Sequence, residues 1–221
     1  MPDIFDEVSE DLRAERAQQM LKKYGGVLVG AAALVLAATG AWQGWAWYQA
    51  RETARVATTY ISALRAADRP AGAERDAALP MLGQVAAEGG AAYRTLARLR
   101  EAALKADAGD TAAALALYSA VATDGAADPL LRDLASYYWV IRQVETGDPA
   151  ALEARLAPLA GPDHPLRALA AEAQALLALR QGKADAARET LKRLGQDVTA
   201  PDGVRGRANG LLAQLGGSAA P

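Results

Sequence analysis

His164 is the only histidine in the 221 residues, and it sits in Pro162-Asp163-His164-Pro165. An imidazole can serve as a general base or a metal ligand. A base needs an orienting partner and a nucleophile, and a metal needs several ligands at helix or loop spacing. Only Asp163 adjoins His164 in sequence, so the expectation is a solvent-facing loop residue just ahead of a helix start at Pro165-Leu166. With no cysteine there is no disulfide framework, thiolate metal site or thiol nucleophile. The Gly-Asp dipeptides at 109–110 and 147–148 lack the surrounding glycine pattern and the lysine that cradle a phosphate. Carboxylates are scattered along the chain and read as solvated faces, so no catalytic pair stands out. The expectation is a protein that is not an enzyme, without catalytic residues, metal or cofactor.

One set of side chains suits binding instead. The stripe through Leu130, Leu134, Tyr137, Ile141 and Val144 accounts for Tyr137, whereas Trp139 shares the face of Arg132, Ala135 and Arg142. Trp and Arg dominate interface hot spots, which makes Trp139, Arg132 and Arg142 candidate partner-binding residues. The competing reading packs Trp139 against a neighbouring helix pair.

The elements that must position these residues are helical. The chain is 52% apolar but only 5% aromatic, and alanine and leucine, both strong helix formers, supply most of the excess. β-Branched residues are scarce and no alternating run is long, so the fold class is all-α. A net charge of −2 argues against a nucleic-acid binder.

Between Lys23 and Arg51 lie 27 residues without a charge. At 1.5 Å per residue, Gly25 to Trp45 covers about 31 Å, one hydrocarbon core. Tyr24 marks one end and Trp42, Trp45, Trp47 and Tyr48 the other, the placement of aromatic belts. A transmembrane helix is therefore expected at about 25–47, within a segment 24–48. The segment 1–23 ahead of it holds six acidic residues, unlike a signal peptide. It reads as an amphipathic tail, with Asp3 as the helix cap and Ile4, Phe5, Val8 and Leu12 on one face. Four basic residues (Arg13, Arg16, Lys22, Lys23) precede the span and three (Arg51, Arg55, Arg65) follow, a lean towards a cytoplasmic N-terminus. Within the span Gly26, Gly30, Ala33, Ala37, Gly40 and Gly44 fall on one face. Such a stripe admits a second helix at close range, so self-association through the span is one reading. Chance in a span rich in Ala and Gly is the other.

Behind the span the chain repeats. Units open at Ala73, Gly109, Gly147 and Gly182, which are 36, 38 and 35 residues apart. Five, nine and twelve residues after each start the residue is apolar or small, one stripe of a helix. The glycine is expected to end the preceding helix in the left-handed C′ conformation, and Asp110 and Asp148 to cap the next. The preceding helices carry Leu96, Leu99 and Leu104, then Leu130, Leu134, Ile141 and Val144, then Leu169, Leu176 and Leu177. Each unit is a hairpin that cannot bury its apolar face alone, so about four hairpins stack into an α-solenoid spanning 49–216. A last helix near Asp202–Leu215 caps the array, Pro80 kinks or shortens the helix in the first unit, and 217–221 is a disordered tail.

Gly109, Asp110, Ala114 and Tyr118 stand where the tetratricopeptide repeat family has its Gly-Asp, its small residue and its aromatic. In the first helices the family's Trp, Leu and Tyr positions fit only after a one-residue offset, so the array is tetratricopeptide-like and degenerate. The N-terminal run Ile4-Phe5-Asp6-Glu7-Val8, Glu10-Asp11-Leu12-Arg13-Ala14-Glu15-Arg16 and Lys22-Lys23-Tyr24-Gly25 leads straight into the span. It resembles the bacterial membrane-anchored tetratricopeptide-like family that includes the ancillary subunit of the Sec translocon. The resemblance implies a single-pass inner-membrane protein with a cytoplasmic N-terminus and a periplasmic domain. It implies protein partners, namely Sec translocon subunits and periplasmic chaperones; the span itself adds membrane lipid, and the charge balance leaves no nucleic acid. A scaffold for envelope assembly or cell division, and a self-associating membrane spacer, are the alternatives.

Overall fold

The computed structural model describes the backbone of residues 4–216 and the side chains of residues 22–27 and 29–216. Asp3 and the tail 217–221 therefore lie outside the described residues, as do the side chains of Ile4, Phe5, Val8 and Leu12. Among the described residues all regular structure is helical. Two compact units divide between Ala54 and Arg55.

The first unit is formed by α1 (Ile4–Ala67) up to the division. Its charge-free stretch is exposed: Leu34 and Leu36 are each 73% accessible and Trp42 is 69%. By length and composition the helix suffices to cross a membrane, with a mean hydropathy of 1.8 over its most apolar stretch. Its one hydroxyl in the middle of the apolar run is satisfied internally, since Thr39 Oγ1 donates to the Val35 carbonyl at 2.7 Å. Hydrocarbon would otherwise leave that group without a partner.

The second unit holds residues 55–67 of α1, then α2 (Ala73–Asp76), α3 (Ala78–Glu88), α4 (Ala91–Asp107), α5 (Thr111–Ala122), α6 (Pro129–Ile141), α7 (Pro149–Leu156), α8 (Arg167–Arg180), α9 (Ala184–Gln196) and α10 (Asp202–Gln214). A 3₁₀ turn over Ala157–Ala160 continues α7. The repeat register is reproduced in its burial. Ala78, Leu82, Val85, Ala114, Tyr118, Val121, Leu152, Leu156, Leu159, Ala187, Leu191 and Leu194 occupy the three stripe positions of the four units, and none is more than 4% exposed. Each second helix thus buries one narrow face between its own first helix and the next unit, as a stacked array requires.

Helix ends follow local chemistry. Gly109 (φ 83°) and Gly182 (φ 75°) are left-handed. Asp110 N–H reaches back to Lys105 O, and Lys183 N–H to Ala178 O, at 2.9 Å each, which closes two Schellman caps. Gly147 departs from the expectation, because its φ is not positive. A Cβ there would sit 3.1 Å from both the Gln143 carbonyl and Gln143 Cβ, so close approach is what restricts this position. Asp110 and Asp148 cap α5 and α7, accepting from Ala113 N–H (3.2 Å) and Ala151 N–H (3.0 Å). Asp128, ahead of Pro129, does the same for α6 through Leu130 N–H. Pro80 lies in the first turn of α3, where a missing N–H costs no helical bond, and the break falls at Ala77.

The first helices bury part of the expected stripe, with Leu104, Val144 and Leu177 in the core, but much of their seam is alanine. Leu130 is 43% exposed, while Ala97, Ala102, Ala135, Ala170, Ala173 and Ala175 are at most 1% exposed. Alanines let backbones come close at the crowded seam, while Leu96, Leu99, Leu134, Leu169 and Leu176 are half-buried beside it. The first hairpin has no separate first helix. Val56, Ala63 and Ala67 on α1 supply its face against Ala78, Leu82 and Val85. Most carboxylates among the described residues are exposed as expected, but Asp107, Asp124 and Asp197 join consecutive units. Arg75 meets Asp107 at 2.9 Å, Arg98 meets Asp124 at 3.4 Å and Arg167 meets Asp197 at 2.8 Å.

Candidate binding groove

Three first helices, α6, α8 and α10, form an open groove of about 510 Å³. Its wall is one pair of helix positions used three times. Tyr137, Glu172 and Arg207 are 35 residues apart, and Ile141, Leu176 and Leu211 follow one turn later at the same interval. Gly210 and Gln214 complete the rim, and a Cβ on Gly210 would meet nothing within 4 Å.

The upper row is polar but self-satisfied. Arg207 donates from Nε and Nη2 to the two oxygens of Glu172 at 2.5 and 2.6 Å. Glu172 is only 4% exposed, whereas the Arg207 side chain remains 54% exposed. Burial, reinforced by the neighbouring Glu172 carboxylate, pushes the Tyr137 hydroxyl up to about 12. Tyr137 therefore stays neutral across ordinary pH. The lower row of Ile141, Leu176 and Leu211 is half-buried and apolar. Such a surface can hold apolar side chains of another chain, with a hydrogen-bonding edge alongside.

The residues singled out from sequence lie elsewhere. Gly26, Gly30, Ala33, Ala37, Gly40 and Gly44 are all exposed along α1, and a Cβ on any of the four glycines would meet nothing within 4 Å. Trp139 is half-buried between two core clusters, one around Tyr137 and Leu152 and one around Ala102 and Tyr118. The cation stacked on its ring is Arg155, at 4.3 Å. Arg142 reaches Asp107 on α4 at 3.5 Å. Arg132 keeps a buried Nε without an acceptor. His164 does not simply face solvent. Its Nδ1 accepts from Leu166 N–H (3.0 Å), which leaves the proton on Nε2 to be donated to Asp133 Oδ2 on α6 (3.1 Å). The ring thus fastens the turn before α8 to the preceding unit. Among the described residues no three His, Asp or Glu side chains converge as a metal site.

Glu172, Arg207 and Leu211 were not marked out by sequence reasoning, although Tyr137, Ile141 and Leu176 were assigned to core stripes. The 35-residue interval linking both rows was the available signal.

A family model described as a tetratricopeptide repeat-like domain matches residues 18–194. No curated protein and no solved structure matches the chain.

Proposed function

The chain belongs to the tetratricopeptide repeat-like domain family, and from that premise we propose a non-catalytic inner-membrane scaffold. Its periplasmic repeat domain binds proteins near the Sec translocon and helps pass secreted chains to chaperones. Repeat domains of this kind bind other proteins across their stacked helices. The observation that carries the membrane half is the exposed, charge-free stretch of α1, flanked by aromatics that are 50–69% exposed. A cation lies over an aromatic ring at each end, Lys23 over Tyr24 at 5.6 Å and Arg51 over Trp47 at 4.5 Å. That pairing suits the headgroup layer, where rings and snorkelling cations share the interface. In this reading 1–23 is cytoplasmic, 24–48 spans the bilayer and 49–216 is the periplasmic repeat domain. The translocon as neighbour rests on the resemblance of the N-terminal run.

A second reading is favoured by the small-residue stripe, whose glycines have open space at every Cβ position. There the span self-associates and the domain spaces the assembly. Crosslinking of the full chain in native membranes, with identification of the adducts, separates the readings. Translocon subunits or periplasmic chaperones are expected. Recovery of envelope-assembly or division proteins instead, or only of further copies of this chain, refutes the translocon assignment.

A further inference from the structure

We infer that a pocket on the α8–α9 hairpin binds a small organic monocarboxylate. Arg193, Gln174 and Thr190 hold its carboxylate, and its apolar stem lies on Ala168, Ala171 and Leu194. The pocket shares no residue with the groove across α6, α8 and α10, and a ligand there is independent of the protein partner proposed above.

The pocket encloses about 310 Å³ between the turn at Ala160 and Pro162, α8 and the C-terminal half of α9. Small-molecule sites begin at about 300 Å³. At about 30 Å³ per water this volume holds about ten waters, or about ten non-hydrogen atoms of a ligand. The register of the hairpin explains the space. Arg167 meets Asp197 at 2.8 Å. Counting inward along the two antiparallel helices sets Ala171 opposite Arg193 and Gln174 opposite Thr190. Ala171 is too small to fill the gap beneath Arg193. Ala168 and Leu194, 5% and 4% exposed, give an apolar floor.

Three polar side chains on the wall have no partner among the described residues. Thr39, Thr53, Thr59, Thr95 and Thr123 each donate to the carbonyl four residues back. Half-buried Thr190 is also inside a helix, yet its hydroxyl makes no such bond. Gln84, Gln143 and Gln181 use their amides within the protein, whereas half-buried Gln174 does not. Arg193 stands at the exposed edge without an ion pair. Donors that the fold leaves unmet in a partly buried pocket favour an acceptor from outside.

Charge selects that acceptor. Hydrogen bonds from Arg167 and then Thr199 hold the Asp197 carboxyl far below its ordinary value of 3.8, so Arg167 and Asp197 remain ionised and neutralise each other. Arg193 is left as the one unbalanced charge among the lining residues. A monoanion balances it, whereas a dianion would set surplus negative charge beside Asp197. A planar carboxylate accepts from the guanidinium fork and keeps lone pairs for the Gln174 amide and the Thr190 hydroxyl.

The isotope-labelled full chain in zwitterionic micelles can be titrated at pH 7 with phenylacetate, an acid of about ten non-hydrogen atoms. Saturable shifts of the Gln174 side-chain amide and the Arg193 backbone amide are expected in its NMR spectrum, with half-saturation at about 1 mM. Phenylacetamide keeps the shape without the charge, acetate lacks the stem, and inorganic phosphate carries more charge. Each should bind at least tenfold more weakly. Arg193→Gln should weaken phenylacetate at least tenfold and Thr190→Val about fivefold. Neither should change the melting temperature, because neither side chain has a protein partner. Ala171→Leu closes the gap and should abolish binding. Absence of saturable shifts with phenylacetate, equal binding of phenylacetamide, or undiminished binding by folded Arg193→Gln and Thr190→Val overturns the site. Tighter binding of phosphate than of phenylacetate overturns the monocarboxylate assignment.

Discussion

Removing the two ends of the Glu172–Arg207 contact should have very unequal consequences. The contact is bidentate, at 2.5 and 2.6 Å, yet its burial is one-sided: Glu172 is 4% exposed and the Arg207 side chain 54%. Stranding one partner of a fully buried pair costs about 3–5 kcal/mol. Arg207→Met strands the buried carboxylate, and because only one half of the pair is desolvated the lower end, about 3 kcal/mol, applies. Glu172→Met leaves a guanidinium that already stands mostly in water, where ion pairs contribute about 1 kcal/mol or less. The double variant should match Glu172→Met, because no charge remains buried alone. At about 2–4 °C per kcal/mol for a chain of this size, Arg207→Met lowers the melting temperature by about 6–12 °C and Glu172→Met by at most about 4 °C. Thermal unfolding of the full chain in micelles, followed by far-UV circular dichroism, reads both. Equal losses, or a larger loss for Glu172→Met, would refute the burial argument.

Gly109 has φ 83° with open space around it, so Gly109→Ala should cost about 1–2 kcal/mol, and Gly109→Asn should recover about half of that because Asn tolerates the left-handed region. At Gly89 φ is −76°, and a Cβ would lie 2.6 Å from the Val85 carbonyl. Both Ala and Asn should therefore cost about 2 kcal/mol there, with no rescue by Asn, as urea unfolding would show. Hydrogen bonds from Arg167 and then Thr199 hold the Asp197 carboxyl far below its ordinary value of 3.8. A depressed carboxylate stabilises the fold above the unfolded-state value and loses that contribution as pH falls towards the folded one. The melting-temperature gap between the parent chain and Asp197→Asn should accordingly be full at pH 7 and begin to narrow only as pH falls below about 4. A gap that stays constant down to pH 2 would contradict it.

What was legible in the sequence was what local periodicity encodes. The second-helix stripes, such as Leu82–Val85 and Leu191–Leu194, are apolar at helical spacing, and their burial follows directly. Caps at Asp110 and Asp148 were equally readable, because the cap and the amides it serves lie within one turn. The first helices were harder, since alanine is at home on any helix face and only the stacked array reveals Ala97 or Ala173 as the seam. Gly147 shows the same limit: a close approach to Gln143 is invisible where a glycine before an aspartate suggests a cap. The groove was hidden for a related reason. Tyr, Glu and Arg at equivalent positions of successive repeats share no residue type, and their common row exists only once α6, α8 and α10 stand side by side.

Every proposed partner depends on which side of a membrane the repeat unit occupies. The most direct measurement fuses to the C-terminus of the full chain, in separate strains, an alkaline phosphatase active only outside the cytoplasm and a fluorescent protein that matures only inside it. The chain should resist carbonate extraction, with the phosphatase fusion active and the fluorescent fusion dark. A bright fluorescent fusion with silent phosphatase, or release of the chain by carbonate, would contradict a periplasmic domain on an inner-membrane anchor.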